Sequence, residues 1–361
     1  MNRIILIGNG FDLAHDLETG YKHFIDWFWN GIIEDFRKRN TTSFDNEYIS
    51  IGHSNYTFEK GYLADYKSFK KYLSSYNLHI KFKKHFFETI SEKSLINWVD
   101  IEEEYYSALN ECLEDKRIVL TKKDPIDALN QDFLEVKELL KNYLLEVDKK
   151  STDSGKIRTN SLIQDSIYSR FNADDFTGVG IEALEQKNLE YPNNILYLNF
   201  NYTDTDRLYP RDKKEISDLR IYIHGDLKDD KNPIIFGYGD EIDDQYKQIE
   251  KRNDNRYLEN IKSIKYLETD NYRRLLNFVN SDSYQIFIMG HSCGVSDRTL
   301  LSRLFEHKNC VSIKVFYHKK DDGTDNHSDI VRNISRNFED KVIMREKVVN
   351  KQHSKPLGDL C

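Results

Sequence analysis

The stretch "RIILIGNGFDLAH" (residues 3–15) decides how this chain is read. Four consecutive aliphatic residues, Ile4 to Ile7, are stopped by Gly8-Asn9-Gly10. A short apolar run without alternation suits a strand buried on both faces, as in a parallel sheet. Two readings of the stop stay open. Asn-Gly is a strong hairpin signal, so the chain could turn back as a second strand. Two glycines also permit close backbone approach, and a helix after them offers free N–H groups to a phosphate. No alternating strand follows. Instead "YKHFIDWFWNGIIEDF" (21–36) carries apolar residues at helical spacing, which favours strand, glycine turn, helix. The full GxGxxG fingerprint is absent, since no third glycine follows at its spacing.

The bulk numbers bound the answer. A chain of 361 residues holds one large domain or two ordinary ones. With 39% hydrophobic residues, 23 Tyr and 20 Phe, the composition is that of a folded protein rather than a disordered one. A formal net charge of −8 argues against a surface that coats nucleic acid, and the basic run "KFKKHFF" (81–87) reads as a solvated helix face. Cys112, Cys293, Cys310 and Cys361 form no CxxC pair, so we expect free thiols in a reducing compartment and no zinc site. The chain opens on a core strand and no apolar run reaches about 18 residues. The expectation is therefore a cytoplasmic protein with no signal peptide and no membrane span.

Along the chain, residues 37–60 read as a polar loop and residues 61–190 as mostly helical. The clearest helices are "WVDIEEEYYSALNECL" (98–113) and "PIDALNQDFLEVKELLKNYLLEV" (125–147), with a charged break at 148–156. From 194 the texture changes to strand-like runs: "NILYLNF" (194–200), "LRIYIHG" (219–225), "PIIFGYG" (233–239), "YQIFIMG" (284–290) and "VSIKVFYH" (311–318). A helical stretch covers about 245–280, a helix spans 298–307, and 330–338 and 341–346 continue as helix and strand. This predicts an α/β fold: a Rossmann-like parallel sheet with a large helical insertion after its first strand. The expected boundaries are 1–36 for the first strand–loop–helix, 37–190 for the insertion, 191–347 for the rest of the sheet domain and 348–361 for a loose tail.

In an open parallel sheet, ligands bind beyond the carboxyl ends of the strands. Four strand ends carry unusual polar residues. The first is the glycine turn itself, whose bland alternative is a tight turn with no ligand. In "NFNYTDTDRLY" (199–209), Asn199 and Asn201 lie two apart and share a direction if extended; turn and cap chemistry is the competing reading. In "IYIHGD" (221–226), His224 is a candidate general base or a surface loop histidine. "IFIMGHSCG" (286–294) contains a literal GxSxG, the nucleophile-elbow pattern. An elbow starts its helix right after the Ser, whereas "GVSD" (294–297) intervenes and Ser296 or Asp297 reads as the N-cap. The acidic "DIEEE" (100–104) reads as a helix face or a supplier of a carboxylate, and no motif supports a metal.

Taken in order, "ILIGNGFDLAH…TGYKHF", "WVDIEEE", "LNFNYTDT", "IHGD", "IIFGYGDE" and "IFIMGHSCGVSD" resemble the AbiH-type bacteriophage abortive-infection proteins. Two departures stand out: Asp16 and Glu18 replace a usual Gly and Pro, and Cys293 stands where Leu is common. That pattern is in turn similar to sirtuin-like NAD-consuming defence proteins. The resemblance implies Asn201 and His224 as catalytic residues. It implies Gly8, Asn9, Gly10, Phe11 and Asp12 as the dinucleotide loop, with Gly290, His291 and Ser292 at the late strand end. It implies an anti-phage protein that binds NAD, without a metal, and hydrolyses it to nicotinamide and ADP-ribose. Its partners would be an NAD or ADP-ribose-type nucleotide and a phage trigger protein, with room for self-association and none for membrane or nucleic acid. The chemistry is coherent. Losing nicotinamide passes through an oxocarbenium-like ribose, an Asn amide donates and accepts at once, and a His takes the proton of water. Two alternatives stay open: an NAD or ADP-ribose sensor or partner-binding module without turnover, and a GxSxG serine hydrolase.

Overall fold

A computed structural model describes residues 1–39, 43–52, 63, 65–95, 100–113, 124–155, 158–187, 190–209 and 216–358. Nine strands occur among them: β1 (Asn2–Ile7), β2 (Phe44–Asp45), β3 (Ile49–Ile51), β4 (Ile80–Phe82), β5 (Asn194–Asn199), β6 (Ser217–Tyr222), β7 (Tyr284–Met289), β8 (Cys310–Tyr317) and β9 (Lys355–Pro356). The chain divides into two units, one of Met1–Glu18, Leu144–Lys251 and Asn260–Cys361, the other of Thr19–Tyr143 and Arg252–Glu259.

The first unit holds a six-stranded sheet in the order β6-β5-β1-β7-β8-β9, parallel at every pairing. It is an α/β unit, as expected. Counted along the chain, its strands stand in the order 3-2-1-4-5-6. Strand β1 is buried along its whole length because both faces of the sheet are covered. Ile4, Leu6, Leu196, Leu198, Ile286, Ile288 and Val315 pack on one side with Leu275, Leu301, Phe305 and Ile334 from helices. Ile5, Ile7, Ile195, Tyr197, Phe287 and Met289 pack on the other with Ile163, Ile167 and Tyr209. The alternation of neighbours along one strand is the two-residue period of its side chains.

From β1 the chain goes to β5 and β6 on one side, then returns to β7, β8 and β9 on the other. Strands β1 and β7 therefore flank the point where the winding reverses. A crevice outside the carboxyl ends of strands at such a point is where open α/β sheets bind ligands.

The second unit is aromatic and mostly helical, with a small antiparallel sheet β2-β3-β4. Trp29 is fully buried and stacks on Tyr66 at 4.3 Å, and Tyr105 stacks on Phe133 at 4.0 Å. Lys83 and Lys84 of the basic run pair with Asp45 and Glu135, flanking β4 and the start of the helix His85–Ser94. Asp100 caps the helix Ile101–Leu113 by accepting from the amides of Glu102 and Glu103. Trp98, Val99 and Cys361 lie outside the described residues.

Several expectations are corrected. The helix Tyr21–Arg39 belongs to the second unit, because Phe28 and Trp29 pack on Tyr48, Tyr66 and Phe87. Residues 144–190 belong to the first unit, with Ile163 and Ile167 on the sheet. The helix from Pro125 runs to Ser154, through the expected charged break. Residues 233–239 form no strand, and Lys341–Lys347 is a helix because Asp340 accepts from the amides of Val342 and Ile343. The tail is not loose at Lys355–Pro356, which pairs with β8. Among the described residues no helix is long and apolar enough to cross a membrane.

Candidate functional site

The glycine turn after β1 leads into a short helix, Asn9–Leu13. The glycines are required by contact with the turn after β7. The amide of Gly10 donates to the Gly290 carbonyl at 2.8 Å and that of Gly8 to the Met289 carbonyl at 3.3 Å. A Cβ on Gly8 would stand 2.5 Å from the His291 Cα, and one on Gly10 would stand 2.8 Å from the Gly290 oxygen. Gly290 has a φ of +81°, which only glycine adopts readily. Two distant motifs thus meet backbone to backbone.

Asn201 joins this contact by donating its side-chain amide to the Gly8 carbonyl at 3.0 Å. Asn199 does something else. Its Oδ1 accepts from the Asn201 amide at 2.7 Å, and its Nδ2 donates to Thr203 and to Asp206 Oδ1, closing a turn on itself. The shared direction expected for the two Asn residues is replaced by this turn. Asp12 is buried and accepts from the Thr203 hydroxyl at 2.6 Å, so it faces the β5 turn. Beneath it, buried His15 donates from Nδ1 to the Phe11 carbonyl and accepts at Nε2 from the Tyr209 hydroxyl, both at 2.6 Å. Burial lowers the His15 pKa.

His224 follows β6 and is buried, with 4% exposure. Its Nε2 lies 3.2 Å from Asp297 Oδ1 and 3.1 Å from the Tyr266 hydroxyl. Phe200 packs edge-on against both His224 and His291, with ring centroids 5.0 and 4.3 Å apart. Asp297 is the hub. Lys262 Nζ, fully buried, donates to Oδ1 at 2.8 Å, and His291 Nε2 lies 3.5 Å from Oδ2. Burial alone would raise the Asp297 carboxyl, but Lys262 and His224 outweigh it and hold it well below the usual carboxylate range. Burial pushes His224 down to about 4, aided by Lys262 and opposed by Asp297. His224 is therefore neutral near pH 7.

Residues 233–239 bring these groups together. The Ile235 amide donates to the His224 carbonyl at 2.8 Å, and the Lys262 amide donates to the Tyr238 carbonyl at 2.9 Å. Gly225, at φ +90°, lets the chain pass so close that a Cβ would stand 2.3 Å from the Pro233 oxygen.

The structure thus joins Gly8, Gly10, Asn201 and Gly290 directly, and His224 and His291 through Asp297. His291 has no ring nitrogen to spare: Nδ1 accepts from the Cys293 amide at 2.9 Å and Nε2 faces Asp297. Asn9 is half-buried and Ser292 exposed. The elbow reading of GxSxG does not fit. Positive φ falls on Cys293 (+56°), the Ser292 hydroxyl accepts from the Gly294 amide, and a 3₁₀ turn, Val295–Asp297, separates the Ser from the α-helix that begins at Arg298. Asp297 is the N-cap residue of that helix, as expected, but makes no side-chain cap hydrogen bond, because its carboxylate is turned inward to Lys262. Asp297, Lys262 and Tyr266 are the residues sequence reasoning missed. Asp297 carried a signal, a carboxylate just past a strand end; Lys262 and Tyr266 carried none. A polar cleft of about 270 Å³ at β6, lined by residues such as Arg220, Tyr222, Asn232 and Arg274, does not include Asn201 or His224. Among the described residues no cluster of His, Cys, Asp or Glu is placed to hold a metal ion.

These features define the class: an α/β protein with a buried polar cluster at the carboxyl ends of a parallel sheet. The chain matches the family described as bacteriophage abortive infection AbiH over residues 56–319, and it belongs to that family. Asp16, beyond the matched residues, has a φ of +60°. No curated protein and no solved structure matches the chain.

Proposed function

We propose that this abortive-infection protein binds a dinucleotide of the NAD type in the crevice and hydrolyses it to nicotinamide and ADP-ribose. The observation that carries the reading is the meeting of Asn201 with the β1 glycine turn, beside a His224 paired with Asp297, at the winding reversal of a sheet ordered 3-2-1-4-5-6. That order is the one in which doubly wound sheets bind dinucleotides. In the reaction, the bond from ribose C1′ to the pyridinium nitrogen breaks and its electron pair leaves with neutral nicotinamide. Water adds to C1′, and its proton passes to His224. Asn201 orients the ribose through its amide.

The experiment is to incubate the purified chain with NAD and follow nicotinamide by chromatography. Release is expected, and its loss in Asn201→Ala and His224→Ala with the fold intact. No release from the wild type, with or without phage lysate, overturns the catalytic reading. The weak basicity of His224 favours one second reading, binding without turnover. It predicts calorimetric binding of ADP-ribose and no nicotinamide.

A further inference from the structure

Two polar neighbours of His224 Nε2 call for opposite protonation. Asp297 Oδ1, at 3.2 Å, only accepts when ionised, so it selects a proton on Nε2. The Tyr266 hydroxyl, at 3.1 Å, can donate, and a donating hydroxyl selects a bare Nε2 with the proton on Nδ1. Charge on Asp297 decides between them, because a hydrogen bond to a carboxylate is about twice as strong as a neutral one.

That charge is provided for. Lys262 Nζ sits 2.8 Å from the same oxygen and is fully buried. His291 adds a donor at Oδ2, since its Nδ1 is occupied by the Cys293 amide and its proton must be on Nε2. The titratable groups facing His224 are thus Asp297, Lys262, Tyr266, Tyr202 and His291, and Phe200 completes its aromatic surround. His224 Nδ1 has no hydrogen-bond partner among the described residues.

We propose that the Lys262–Asp297 pair is a positioning device that fixes the His224 proton on Nε2 and presents the Nδ1 lone pair as the proton acceptor of the crevice. The acceptor suits a hydroxyl-bearing ligand or a water. The inference rests on reading the crevice as the reaction site, but the tautomer is measurable without turnover.

The test is long-range proton–nitrogen correlation on the full chain with ¹⁵N-labelled histidine near pH 7.5. His224, assigned by its loss in His224→Gln, is expected to show a protonated Nε2 and a bare Nδ1. In Tyr266→Phe the pattern should persist. In the double variant Lys262→Met/Asp297→Leu, which removes both buried charges together, the proton should move to Nδ1. There nicotinamide release should fall at least a hundredfold in kcat with little change in KM. A wild type with its proton on Nδ1 overturns the proposal. So does a tautomer that changes in Tyr266→Phe, or one that survives in the double variant. If the double variant does not fold, the wild type and Tyr266→Phe still decide. A wild type that keeps Nε2–H but releases no nicotinamide overturns the reaction and retains the device.

Discussion

A Cβ atom on Gly290 would stand 2.0 Å from the backbone nitrogen of Phe11, so the turns after β7 and β1 are in direct backbone contact. Gly290→Ala therefore carries two penalties, a positive φ and a collision. Gly323 isolates the first, since its φ is +84° and nothing lies within 4 Å of its Cβ position. Gly323→Ala should cost about 1–2 kcal/mol. Gly290→Ala should cost more than about 4 kcal/mol, in the range that marks a structural collision. Urea midpoints at equal m-value give both numbers. Equal costs would sink the idea that the turns interlock.

Asp16 offers the reverse change. Its φ of +60° strains a side chain by about 1–2 kcal/mol, while glycine loses about 0.5–1 kcal/mol of chain entropy on folding. Asp16→Gly should come out about 0.5 kcal/mol more stable, read as a rise in the urea midpoint.

Acid should destabilise the chain through its buried histidines. His224 is lowered from 6.5 to about 4 on folding, so between those pH values the unfolded chain binds the proton and the folded chain does not. Stability then falls as pH drops from 6.5 toward 4, by on the order of 3 kcal/mol for this residue. His15, His307 and His327 are lowered too and add to the slope. Asp297 acts below this window, because its folded pKa is depressed and its contribution is lost only as pH falls through that lower value. Comparing urea midpoints at pH 7.5 and 5.0, His224→Gln should lose less than the wild type. Identical losses would show that His224 is not the source.

The thiols and the exposed serine give a chemical check. Cys112, Cys293 and Cys310 are buried, and burial pushes the Cys293 and Cys310 thiols up. A disulfide reagent should therefore modify them slowly in the native chain and quickly in denaturant. A fluorophosphonate probe should leave Ser292 unlabelled, as its turn lacks the elbow geometry. Rapid labelling there would restore the serine-hydrolase reading.

The central strands were legible because each is apolar on both faces, and that leaves a sequence signature needing no partner to recognise. Strand-like runs outside the sheet were not. "KVIMRE" is a short apolar run that reads like a strand, yet Asp340 supplies the cap that makes it a helix. "PIIFGYG" has strand composition, but its amides are spent on His224 and Asn260 rather than on a ladder. In the site, Asn201 and His224 could be read from their places at strand ends. Asp297 was legible as the N-cap, which it is by position, but not as a carboxylate turned inward to Lys262 and His224. Lys262 was invisible, because only the pairing of Tyr238 with Ile261 brings it under Asp297.

The order in which the sheet is made has a consequence of its own. Arg3 of the central strand pairs with Ile195 on one side and Gln285 on the other. During synthesis the middle of the sheet emerges first and waits for both neighbours, a topology that folds slowly and leaves apolar edges open meanwhile. His224, Lys262 and Asp297 arrive on separate segments, the last after β7. A nascent or truncated chain that stops short of Asp297 cannot assemble the polar cluster, so whatever this crevice does is withheld until synthesis has passed β7 and reached Asp297.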